Sequence, residues 1–138
     1  MHGRLKLHLK ANERIFVNGG VLRVDRKVAI ELLNDVVFLL ESHVMQAEQA
    51  TTAVRQLYFI VQSMLMEPAS LPIGRLAYDD AHRALIATYR DRTILEGLVE
   101  VRLLVQGCKP FDALKRLRAL FALEDELLGH KSAATQVA

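Results

Sequence analysis

Apolar residues recur at every second position in the first part of this chain and at every third or fourth position in the second part. One element type cannot serve both spacings, because alternate residues share a strand face while i, i+3, i+4 share a helix face. Leu5, Leu7 and Leu9 alternate with Lys6, His8 and Lys10, predicting a strand with one buried face and one wet, basic face. Ala11-Asn12-Glu13 reads as a turn and Arg14–Val17 as a second strand. Asn18-Gly19-Gly20 is a strong reversal signal, since asparagine and glycine accept φ > 0 at little cost. Val21–Val24 is the return strand, followed by a polar turn at Asp25-Arg26. From Lys27 to Leu33 alternation favours a strand, with Asn34-Asp35 a turn and Val36–Glu41 another short strand; a helix over 28–41 is the competing reading.

The helical spacing starts after Thr51 or Thr52, either of which can cap exposed amides of a first turn. Leu57, Ile60, Val61, Met64 and Leu65 then mark a helix that stops before Pro68. Leu71-Pro72-Ile73-Gly74 reads as a linker, with helices following over Tyr78–Tyr89 and Arg92–Gln106. Gly107 stands where a C-capping glycine belongs and Pro110 near the next helix start. That last helix turns Phe111, Leu114, Leu117, Leu120 and Phe121 inward, and Glu124-Asp125-Glu126 reads as a solvated face. Strands first and helices second predict an α+β fold: an N-terminal antiparallel β-sheet of about four to five short strands, then a bundle of about four helices. The chain reads as one domain over 1–138, strand-rich over 1–41, helical over 51–128, with a flexible tail over 129–138.

A chain of 138 residues with a hydrophobic fraction of 51% can build its own core without a metal or disulfide staple. The single cysteine cannot form an internal bridge, which fits a reducing compartment. No apolar h-region follows the N-terminus and no apolar run approaches the ~20 residues of a bilayer span, so a cytoplasmic protein without membrane contact is expected.

The motifs for chemistry are weak. The histidines (His2, His8, His43, His82, His130) are scattered, and Asp79 with His82 offers two metal ligands at i, i+3 without a third. Cys108 in a turn beside Lys109 has no evident base or oxyanion site. Ser42-His43 lacks a glycine elbow, and Gly19-Gly20 begins no phosphate-binding pattern. No catalytic residue, metal site or cofactor is expected, and no enzyme.

Charge is the informative feature. Residues 1–27 hold seven basic side chains (Arg4, Lys6, Lys10, Arg14, Arg23, Arg26, Lys27) against two acidic ones, Glu13 and Asp25. The remaining 111 residues carry 11 basic and 14 acidic side chains. Such asymmetry points to a polyanionic partner, or else to a sheet that blunts its edges with lysine and arginine. Nucleic-acid motifs are absent, and the lack of tryptophan with only 6% aromatics argues against a large base-stacking platform. The seven cations remain the candidate RNA-binding residues, because alternate strand positions lie about 7 Å apart, near the phosphate spacing of a stretched strand.

Taken together, Leu5–Lys10 (LKLHLK), Glu13–Lys27 (ERIFVNGGVLRVDRK), Glu31–Val36 (ELLNDV) and Gln46–Leu65 (QAEQATTAVRQLYFIVQSML) resemble the FlbT family over nearly the whole chain, fading after about Leu128. Two departures are Ala53, where a proline is expected in the first helical turn, and Ala122, where a proline is expected after Phe121. The resemblance implies a post-transcriptional regulator of flagellum biogenesis. Such a protein associates with the 5′ untranslated region of flagellin mRNA, promoting its degradation or repressing its translation. It brings no catalytic residues and does not say which residues touch RNA. The implied partner is the flagellin mRNA leader. The alternative is an adaptor whose apolar faces at Leu57–Leu65 and Phe111–Phe121 hold flagellin or another flagellar regulator, and the plain reading of both faces is core. A homodimer doubling the basic face stays open.

Overall fold

The computed structural model of the chain describes residues 5–34, 36, 38–67 and 71–137. Five strands precede four helices: β1 (Leu5–Leu9), β2 (Arg14–Val17), β3 (Gly20–Arg23), β4 (Val28–Leu32) and β5 (Phe38–Leu40), then α1 (Ala53–Met66), α2 (Leu71–Thr88), α3 (Arg92–Gln106) and α4 (Pro110–Val137). The strands pair antiparallel, so the fold is α+β as the change of period requires. The competing helix over 28–41 does not form. The polar turn at Asn34-Asp35 falls partly outside the described residues, since Asp35 lies outside them.

The strand pairing has a feature that alternation alone does not reveal. β1 pairs with β4, Leu5 opposite Leu32 through Leu9 opposite Val28, and β2 pairs with β3, Arg14 opposite Arg23 through Val17 opposite Gly20. The register runs through both ladders without gaining or losing a residue, residues 10–13 facing 24–27. Residues 5–32 are therefore one long hairpin, closed by Asn18 at φ 49° and Gly19 at φ 84°, a two-residue turn whose twist matches the strands. Between the ladders, Asn12 takes φ 68° and its N–H donates to the Val24 carbonyl at 2.7 Å, while the Val24 N–H donates to Glu13 at 3.1 Å. The ribbon bends there and stays closed. β5 then joins the free edge of β2, Ile15 opposite Leu40.

β2 and β5 lie between two cores. One of their faces puts Ile15 and Phe38 with Leu7 and Leu9, joined by Phe111 from α4, whose ring lies 4.6 Å from that of Phe38. The other turns Phe16 and Leu39 to the helices. The helical core is built at three- and four-residue spacing: Val54, Leu57, Tyr58, Val61 and Leu65 of α1, Ile94, Leu98, Val101 and Val105 of α3, and Leu114, Leu117 and Leu120 of α4.

Three boundaries differ from expectation or refine it. Leu71-Pro72-Ile73-Gly74 is the first turn of α2 and not a linker. Proline is tolerated there because first-turn amides lack helical partners anyway, and Gly74 lets α2 approach α1: a Cβ at Gly74 would stand 2.6 Å from Met64 Cγ. Gly107 does end α3, but with φ −83°; Cys108, at φ 58°, takes the left-handed position. The Cys108 N–H donates to Val105 and the Lys109 N–H to Leu104, closing the α3 end. α4 continues to Val137, beyond Leu128 where the apolar spacing ends.

Candidate nucleic-acid interface

Arg4, the first of the seven candidate cations, lies outside the described residues. Lys6, Lys10, Arg14, Arg23, Arg26 and Lys27 are all exposed. Lys6 and His8 project from the side of the ribbon opposite buried Leu7 and Leu9, with Glu31 and Ala29 as their cross-strand neighbours. Arg14 and Arg23 face each other across β2 and β3, on the β2 face that also turns Phe16 to the helices. The bend stands between these two groups, and Arg26 and Lys27 lie at it.

Carboxylates occupy part of this surface. Arg14 Nε donates to Glu41 Oε1 at 2.7 Å, and the Arg14 backbone N–H donates to Glu41 Oε2 at 3.2 Å. These bonds hold the Glu41 carboxyl below its usual value. Arg26 meets its neighbour Asp25 at 3.2 Å, a highly exposed contact of a kind that contributes little. Lys10, Arg23 and Lys27 have no ion-pair partner among the described residues. The cationic surface is therefore a bent ribbon with three uncompensated charges, one lysine opposite an acid, and two arginines already paired. Beside Arg14 and Glu41 opens a cleft of about 340 Å³ between β2 and α1, reached by Phe16, Phe59 and Met66.

The weaker chemical candidates do not assemble. His82 is 2% exposed, with Nε2 on the Leu98 carbonyl at 2.8 Å, while Asp79 faces solvent, so the two cannot share a metal ion. No group of three metal-ligating side chains occurs among the described residues. Cys108 is exposed in the α3–α4 turn. The acidic run is only in part a solvated face: Asp125 and Glu126 are exposed, Asp125 binding Arg55 at 2.6 Å, but Glu124 is fully buried. Leu57–Leu65 and Phe111–Phe121 are packed against the two cores, which leaves neither as a docking stripe. No helix among the described residues is long and apolar enough to cross a membrane.

Residues 5–128 match the family described as "Flagellar protein FlbT". The chain belongs to the FlbT family. A relative in Bradyrhizobium diazoefficiens, named as probable flagellum biosynthesis repressor protein FlbT 2, is 54% identical over 124 residues, covering 90% of this chain and 91% of its own length. A Rhizobium johnstonii protein named as probable flagellum biosynthesis repressor protein FlbT is 48% identical, covering 99% of this chain and 93% of its own. One of the same name in Mesorhizobium japonicum is 50% identical, covering 94% and 88%. No solved structure matches. The FlbT match ends at Leu128, where the apolar spacing of α4 also ends. Both departures noted from the FlbT pattern are harmless to the fold. Ala53 is the first residue of α1, where Thr52 already caps by accepting the Arg55 N–H at 3.2 Å, and Ala122 keeps α4 continuous.

Proposed function

We propose that this chain is a non-catalytic, cytoplasmic regulator of flagellum biosynthesis. It acts after transcription by associating with the 5′ untranslated region of flagellin mRNA and promoting its degradation or repressing its translation. The relatives' names support the repressor role. The observation that supports RNA contact is the exposed basic ribbon of residues 5–32, where Lys10, Arg23 and Lys27 carry no paired carboxylate among the described residues. A phosphate chain meets such cations with release of its counterions, which is strong in low salt and weakly selective. Selectivity then comes from RNA shape. Any cleavage of the message is the work of a host ribonuclease. Ultraviolet crosslinking in cells, followed by mapping of the attached peptide, tests this. A peptide from residues 5–32 joined to flagellin leader is the expected result, and recovery of no leader RNA contradicts it.

A second reading has one specific observation behind it. On α3, Val99 and Leu103 are 53% and 63% exposed and fall in line with Leu95, an apolar stripe that the core does not use. Such a stripe suits an adaptor holding flagellin or another flagellar regulator. Purified flagellin that binds the wild-type chain and not Val99→Glu/Leu103→Glu would favour it; equal binding by both would remove it.

A further inference from the structure

The helical half carries a second cationic locus, separate from the ribbon. The segment between β5 and α1 crosses α1 and is fixed there by Gln62, whose Oε1 accepts the Met45 N–H at 2.6 Å while its Nε2 donates to the Met45 carbonyl at 2.9 Å. The Tyr58 hydroxyl donates to the His43 carbonyl and accepts from Arg118 Nη1, the latter at 3.0 Å. Between this segment, α1 and α4 lies a cleft of about 220 Å³, with Ser42, His43, Gln49, Arg55, Arg118 and Phe121 in its walls.

The charge in the cleft is uncancelled. Arg55 is matched by Asp125, which receives Nη1 and Nη2 at 2.6 and 2.9 Å. Arg118 has no carboxylate partner among the described residues, and only one of a guanidinium's five donors is taken, by Tyr58. His43 Nδ1 is buried without a hydrogen-bond partner among the described residues. Burial and the nearby Arg118 charge keep the imidazole below its usual value. Among the described residues the cleft walls contain no carboxylate. The free Arg118 donors therefore suit a ligand with several anionic oxygens. Beside them the Arg55 guanidinium lies 4.7 Å from the centre of the Phe121 ring, a stacked pair held by Asp125. A planar guanidinium of this kind is a surface on which an unpaired base can stack.

We infer that this cleft is a subsite for one phosphate of single-stranded RNA, bound by Arg118, with the Arg55–Phe121 pair beside it for an adjoining base. The inference rests on the RNA reading above and extends it from the ribbon to the helical half. Cleft and ribbon would then contact different phosphates of one strand.

Nuclear magnetic resonance on the full chain tests it, following Arg118 Nε–H and the His43 ring during titration with a short single-stranded RNA and, separately, inorganic phosphate. The RNA should shift both signals. The variant Arg118→Gln should weaken RNA binding about 5- to 10-fold and lower the slope of log K against log salt by about 0.7, the share of one single-strand phosphate. Arg118→Lys should keep the salt slope. Wild-type spectra decide the matter even if Arg118→Gln folds poorly. RNA that binds while both signals stay still overturns the subsite and leaves the ribbon reading intact. Shifts with phosphate that RNA cannot reproduce overturn the RNA source and assign the cleft to free phosphate. Absence of any RNA binding removes the wider reading and this inference with it.

Discussion

Glu124 carries a carboxylate into the centre of an apolar core, and three elements meet on it. Its Oε2 accepts the Val54 N–H at 3.1 Å, an amide of the first turn of α1, and the Tyr89 hydroxyl at 2.5 Å. The positive end of the α1 dipole and nearby Arg55 offset the buried charge, although Oε1 has no hydrogen-bond partner among the described residues. Glu124→Ala strands a buried amide and a hydroxyl, each worth about 1–3 kcal/mol when unpaired, so a loss of about 3 kcal/mol is expected in urea unfolding. The phenol of Tyr89 is pushed above its usual value by burial and by the Glu124 carboxylate; burial does the same for Tyr58 and carries Tyr78 up to about 12. The neutral phenols thus favour the folded state, a contribution complete below the unfolded value of about 10 and lost as pH rises through the folded values. These are all three tyrosines of the chain. Phenolate absorbance should therefore appear above pH 10 together with loss of helical circular dichroism, and not near 10 in a folded chain. Glu124 was illegible in the sequence because a run of three acids reads as a wet face. Only the tertiary arrangement brings the unpaired amide of α1 and the Tyr89 hydroxyl to it.

At the scale of elements, what could be read depended on whether the cause was local. Asn18-Gly19 and Thr52 act on their own neighbours, and both turn and cap form where the residues stand. β4 could be typed as a strand from its alternation, but its partner β1 is remote in sequence and only the shared register of the long hairpin fixes it. Pro72 and Gly74 looked like punctuation because a proline is tolerated in a first helical turn and the role of Gly74, close approach to Met64, appears only when α1 is in place. Gly97 is similar: a Cβ there would stand 2.8 Å from Leu120 Cδ2, so the glycine lets α3 and α4 close on each other. The end of α3 gives a test. Cys108 holds a left-handed conformation that costs an L-residue about 1–2 kcal/mol and glycine almost nothing. After glycine's larger unfolded-state entropy is counted, Cys108→Gly should stabilise the chain by about 0.5–1 kcal/mol, seen as a rise in Tm.

For the whole molecule, charge and core divide the work. The helices and the ribbon face of Leu7, Leu9 and Ile15 bury apolar residues, and the opposite face carries Lys6, His8, Arg14 and Arg23 until Phe16 turns to the helices. The net excess of cations at the N-terminal end was legible from composition. Their pairing was not, because Glu41 reaches Arg14 from another strand's end and Glu31 reaches the Lys6 side of the ribbon only through the β1–β4 register. The Arg118 cleft was equally hidden, its walls coming from two helices and a loop far apart in sequence. What remains is a ribbon whose proposed grip on RNA should rest on Lys10, Arg23 and Lys27. Binding of the purified chain to flagellin leader RNA across a series of salt concentrations measures that grip. A linear fall of log K with log salt is expected, and a loss of about tenfold or more for Lys10→Glu/Arg23→Glu/Lys27→Glu. Affinity indifferent to salt, or unchanged by the three reversals, would contradict it.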